Sequence, residues 1–147
     1  MKQENEFGED FIEFETAKLA RNKGFAWRQG FLSPGKITYV DGVIPDSGYN
    51  RCYNEEKQVI YPKLFNYRNP HYACPTQAVL AKWLRKLHNI HISIEVGHDE
   101  DNIWYDAYLY KIEKSYNYDP IIVDDLTADT HEKAFELGLA QALNLLP

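Results

Sequence analysis

At 147 residues with 44% hydrophobic side chains, the chain can bury one core, so a single domain over 1–147 is expected, with 1–10 as a candidate disordered tail. There is no apolar run of about eighteen residues for a membrane span, and the start MKQENEFGED lacks the apolar stretch of a signal peptide; Cys52 and Cys74 then read as reduced thiols and the cytoplasm as the compartment. The net charge of −6 is segregated, with six acids against Lys2 in 1–15 and six against Lys133 in 119–136, which disfavours a protein that coats nucleic acid while the basic middle permits a local anion site.

The first predicted element is a helix over 14–23, with Phe14, Ala17, Leu19 and Ala20 apolar and Gly24 as its C-terminal stop. From 25 to 61 the signals are those of a small β meander. FAWRQGFL, KITYVDGVI, a segment around Tyr53 and VIY are separated by turn clusters, and Asp41-Gly42 suits a tight hairpin between Val40 and Val43. Residues 62–75, punctuated by Pro62, Pro70 and Pro75, read as a packed loop. A helix over 76–89 follows, with Leu80, Trp83, Leu84 and Leu87 inward and Lys82, Arg85 and Lys86 outward.

At residue 90 the hydrophobic period changes from helical to two. Ile90, Ile92, Ile94 and Val96 alternate with polar residues, GHDEDN makes a turn, and NIWYDAYLYKIE returns as a paired strand. The last helix spans 129–146, with Asp129 and Glu132 as a capping box and Phe135, Leu139, Ala142, Leu143 and Leu146 as its apolar stripe. The fold class is therefore α+β, a mainly antiparallel sheet with about three helices packed on one face. Trp83, Leu84, Leu87, Ile92, Ile94, Leu139 and Leu143 are expected to be buried together.

Three segments, FETAKLARNKGF at 14–25, PTQAVLAKWLRKLHNIHI at 75–92 and ELGLAQALNL at 136–145, resemble uncharacterised small proteins encoded by phages and mobile elements of gut Bacteroidetes. The resemblance carries no activity. It implies an accessory protein that binds a host protein or a small phosphorylated signal molecule and counters host defence.

Chemistry has few candidate seats in this sequence. His71-x-x-Cys74, Cys52, His88 and His91 lack the paired spacing of a zinc site, so neither metal nor cofactor is expected. If Ile90, Ile92, Ile94 and Val96 face the core, His91, Ser93 and Glu95 share the other face with Trp104, Asp106, Tyr108 and Tyr110. A histidine beside two carboxylates suits acid–base work, and a cryptic hydrolase using His91 with Glu95 or Asp106 is one alternative; a small nucleic-acid-binding module is another. The favoured site lies in the basic, aromatic middle, where Arg51 and Arg68 would meet a phosphate and Tyr67 and Tyr72 an apolar or base face. The expected partners are thus a small phosphorylated ligand or a host protein, with nucleic acid and membrane disfavoured and a homo-oligomer permitted.

Overall fold

The computed structural model describes residues 10–27, 29–33, 36–40, 50–62, 71–112, 118–121 and 125–147, with backbone alone for 29–33, 36–40 and 118–119. In chain order the elements are α1 (Phe14–Asn22), β1 (Gln29–Ser33), β2 (Lys36–Val40), β3 (Cys52–Tyr53), β4 (Val59–Ile60), β5 (Tyr72–Ala73), α2 (Gln77–His88), β6 (Ile90–His98), β7 (Ile103–Ile112), β8 (Tyr118–Ile121), β9 (Thr127–Ala128) and α3 (His131–Asn144). Every strand pairing among them is antiparallel, and with three helices the class is α+β. The chain divides into two compact units, Met1–Ile12 with Thr76–Leu139, and Glu13–Pro75 with Ala140–Pro147.

The first unit is a helix-backed sheet. Thr76 starts α2: its backbone is extended, and its Oγ1 accepts from Val79 N at 3.2 Å. Phe11 bridges to Thr76, and Gln77 N donates to Asp10 O, which fixes the incoming chain at the helix start. At the other end Asn89 takes a left-handed conformation, φ 56°, and its N–H closes on Arg85 O and Leu84 O. Ile112 N donates to Asn89 O, so one residue ends the helix, turns the chain and ties it to β7. The change of period at residue 90 is this turn.

β6 and β7 form a long hairpin whose tip is held by Asp99 Oδ1, which accepts from Asp101 N and Asn102 N. β7 also pairs with β8 along its second half and with β9 along its first. α3 begins at a cap formed by Thr130, whose Oγ1 accepts from Lys133 N, one residue later than the expected capping box. Asp129 instead pairs with Lys133 Nζ at 3.0 Å, a contact that lowers its carboxyl below the usual range.

The buried side chains of this unit include Leu80, Ala81, Trp83, Leu84, Ile90, Ala107, Leu109, Ala134 and Leu139. Gly138 brings α3 close to the sheet, since a Cβ there would stand 3.1 Å from Ala107 Cβ and Ile92 Cγ2. Four expectations need correction. Leu87 is 65% exposed, because the buried positions of α2 stop at Leu84. Ile92 and Ile94 are half-buried and Val96, expected on the same core face, is 62% exposed toward the hairpin tip, and Leu143, though buried, belongs to the second unit.

The second unit packs α1 against a small sheet ordered β4-β3-β5. Phe14 meets Tyr53 and Tyr72 edge-on at 5.7 and 5.4 Å, and Arg21 lies 5.3 Å over the Tyr72 ring while donating to His71 O. β5 lies inside the segment expected to be loop; its two residues are too few for periodicity to reveal. β1 pairs with β2 in a hairpin from Ser33↔Lys36 to Gln29↔Val40, while the Asp41-Gly42 turn lies outside the described residues.

Candidate functional site

Strand alternation gives the β6–β7 pair two unlike faces, and the register fixes which residues share each. Ile90, Ile92 and Ile94 oppose Lys111, Leu109 and Ala107 on the side that α3 approaches through Gly138. On the other side His91 opposes Tyr110, Ser93 opposes Tyr108, Glu95 opposes Asp106, and Gly97 opposes Trp104. Thr127 of β9 joins this set opposite Asp106, as does Pro120 of β8 opposite Tyr110. The gathering of His91, Glu95, Asp106 and tyrosines expected from period two is therefore present.

The far end of this face depends on a glycine. The Trp104 indole lies over Gly97, where a Cβ would overlap its Nε1 and Cε2 atoms. A glycine roofed by an aromatic ring from the neighbouring strand flattens the surface there and holds the ring against the sheet. Nearer the centre Tyr108 is 42% exposed, with Glu95 and Asp106 beside it. Asp106 directly opposite Glu95 is a like-charge cross-strand pair, an arrangement that destabilises an antiparallel sheet. The negative field reaches Tyr108: Asp106 first, then burial, Glu95 and Tyr110, raise its hydroxyl above the usual phenol range.

Between the β8 and β9 pairings β7 lines a cavity of about 400 Å³, whose walls include Asp106, Tyr108, Tyr110, Pro120, Asp125 and Thr127. Thr127 Oγ1 donates to Asp106 Oδ1 and orients that carboxylate, and Ala107 N donates to Leu126 O along the same wall. Asp125 enters the wall from a left-handed backbone, φ 61°. Its residue type fits, because Asp and Asn tolerate that conformation better than most side chains.

The residues favoured from sequence lie elsewhere. Arg51 and Tyr72 belong to the second unit, and Tyr67 and Arg68 lie outside the described residues. Arg51 Nη1 donates to the Tyr61 hydroxyl at 3.1 Å, and its carbonyl accepts from Trp27 Nε1 and Cys74 N. Tyr72 contacts both Phe14, edge-on, and Arg21, over its ring. Cys52 and Cys74 are both fully buried, and burial together with the neighbouring Cys74 pushes the Cys52 thiol up to about 12.

His88 meets Trp83 edge-on at 4.7 Å, whereas His91 stands on the open strand face. His91 is four residues along β6 from Glu95, roughly 13 Å at the rise of an extended strand. That separation exceeds hydrogen-bond reach, and Glu95 and Asp106 face each other instead. Among the described residues no three His, Cys, Asp or Glu side chains gather as a metal site. Pro120, Ile121, Asp125, Leu126 and Thr127 are the wall residues that sequence reading missed. The available signal was the short strand-like run at Thr127-Ala128, masked by the acidic stretch around it. Comparisons with protein-family models, curated proteins and solved structures found no match for this chain.

Proposed function

We propose that the protein is a non-enzymatic binding protein that docks a partner protein on the open face of the β6–β7 sheet. The observation that carries this is the register itself. It aligns Trp104, Tyr108 and Tyr110 with polar side chains on one face while Ile92, Ala107 and Leu109 turn toward α3. Aromatic side chains that keep a polar tip in water are the residue class enriched at protein interfaces. The roughly 13 Å between His91 and Glu95 supports binding over acid–base chemistry. The engagement of Arg51 with Tyr61 and of Tyr72 with Phe14 and Arg21 supports a protein partner over a phosphorylated ligand. A host protein, and interference with host defence, are supported by the sequence resemblance alone.

Site-specific photocrosslinking in the native host tests this. Tyr108→p-benzoylphenylalanine should give a discrete protein adduct that disappears when Trp104→Ala is added. The same probe at the exposed turn residue Glu56 should give none. An adduct pattern identical from both positions, or none from position 108, would remove the docking face.

A further inference from the structure

We infer that the docked partner presents a lysine or arginine side chain, received in the cavity between β8 and β9 with its cationic head on Asp106 and Asp125 and its alkyl stem against Tyr108 and Tyr110. This rests on the docking reading above and adds the chemistry of what docks.

Charge and shape lead there independently. Glu95, Asp106 and Asp125 place three carboxylates on or beside one face, and among the described residues none of them takes part in an ion pair. Two of them are forced into direct opposition across the strands. A cation arriving from outside relieves that repulsion, whereas an anion deepens it. Asp106 is already oriented by the Thr127 hydroxyl, so little ordering remains when it meets a donor.

The cavity supplies the second argument. At about 400 Å³ it is roomy enough to take a long side chain, and the carboxylates of Asp106 and Asp125 in its lining favour a cationic tip over a phosphate. Tyr108 and Tyr110 are among the residues that line it. Lysine and arginine are the side chains that combine an apolar stem with a cationic tip, and a ring face attracts that tip beyond simple apolar contact. A free polyamine shares the charge but brings no neighbouring backbone to cover Trp104, the part of the face that lies away from the cavity.

The test uses the whole chain and defined probes. Terminally blocked glycine–serine heptapeptides carrying a pair of lysines, arginines, glutamates or norleucines are titrated by NMR and by tryptophan fluorescence, with spermidine as a further arm. Lysine or arginine peptides should bind, and glutamate and norleucine peptides should not. Asp106→Asn with Asp125→Asn should weaken binding about tenfold or more. Asn keeps an acceptor for Thr127, and an unchanged amide spectrum elsewhere confirms the fold. Glu55→Gln with Glu56→Gln removes the same charge from an exposed turn and should change the affinity less than about twofold. The inference is overturned by equal weakening from both pairs, by basic peptides binding no better than the glutamate peptide, or by spermidine matching them. It is also overturned by self-association that the Asp106 and Asp125 substitutions abolish, which would make the occupant a second copy. Failure of the peptides while the adduct at position 108 persists removes the cation and keeps the docking face; loss of the adduct while the peptides still bind does the reverse.

Discussion

On one face of the β6–β7 pair Ile90, Ala107 and Leu109 are at most 7% exposed. On the other, reached by moving one residue along either strand, Tyr108 is 42% exposed and Glu95 stands open beside Asp106. Both faces share one backbone and one set of ladder hydrogen bonds, so their differences are differences of side chain alone. The buried face gains stability by removing apolar surface from water. The open face gathers like charges and large rings that do little for folding, which is the pattern expected where a surface is kept for recognition. Around Ala107 and Leu109 stability and binding should therefore separate by residue parity, whereas farther out on the same parity Val96 and Ile103 are each 62% exposed.

The largest expected effect tests that parity directly. Leu109→Ala should lower unfolding stability by about 2–5 kcal/mol, because a fully buried side chain leaves a cavity. Tyr108→Thr, one residue away, should change it by less than about 1 kcal/mol. Urea midpoints give both values. Equal losses would mean that both faces are structural.

A smaller effect is expected where the open face depends on packing. Gly97→Ala forces the Trp104 indole off the sheet and should cost about 1–3 kcal/mol. Tryptophan emission should shift to the red as the ring enters water. An unshifted spectrum would show that the ring was not seated on Gly97.

Much of the fold was legible because the hydrophobic period carries it. The helix-to-strand switch at Asn89, the β6–β7 pairing and the division of its faces all follow from the spacing of Leu80, Leu84, Ile90, Ile92 and Ile94. Periodicity had nothing to work on in β5 and β9, which are two residues each, while in β8 Pro120 interrupts a four-residue strand. The aromatic and acidic members of the open face on β6 and β7 could be read for the same reason as the pairing. Asp125 could not, and Thr127 had only the two-residue run Thr127-Ala128 to signal it, since the pairing of β9 with β7 is a long-range contact that local sequence does not encode. The emphasis on Arg51 and Tyr72 rests on composition, which shows that positive charge and aromatic rings coincide in sequence but not that α1 packs on Tyr72 or that Arg51 donates to Tyr61.

The electrostatic half of the comparison can be read from one phenol. Tyr108 holds its proton to higher pH in the folded chain than in the unfolded one, chiefly because of Asp106. Its contribution is therefore intact below the ordinary phenol value of about 10 and is lost as the pH rises through the folded value. Asp106→Asn should move the Tyr108 titration back toward the ordinary value, followed by ring proton shifts, and should make stability fall less steeply on the alkaline side. A titration indifferent to Asp106 would mean that the face carries no shared negative field.

The smallest effect is the most diagnostic, because its sign is opposite to that of an ordinary substitution. Glu95 faces Asp106 across the hairpin, and like charges so placed destabilise a sheet. Threonine removes one charge and suits a pleated strand better than glutamate does. Glu95→Thr should therefore raise stability by about 0.2–1 kcal/mol, seen as a higher urea midpoint with an unchanged slope. The same variant should bind the basic heptapeptides less tightly, since it removes the carboxylate that faces Asp106. A gain in stability accompanied by weaker binding is what a residue retained for recognition must show. A loss of stability would instead make Glu95 part of the scaffold, and the open face would then be a solvated surface like any other.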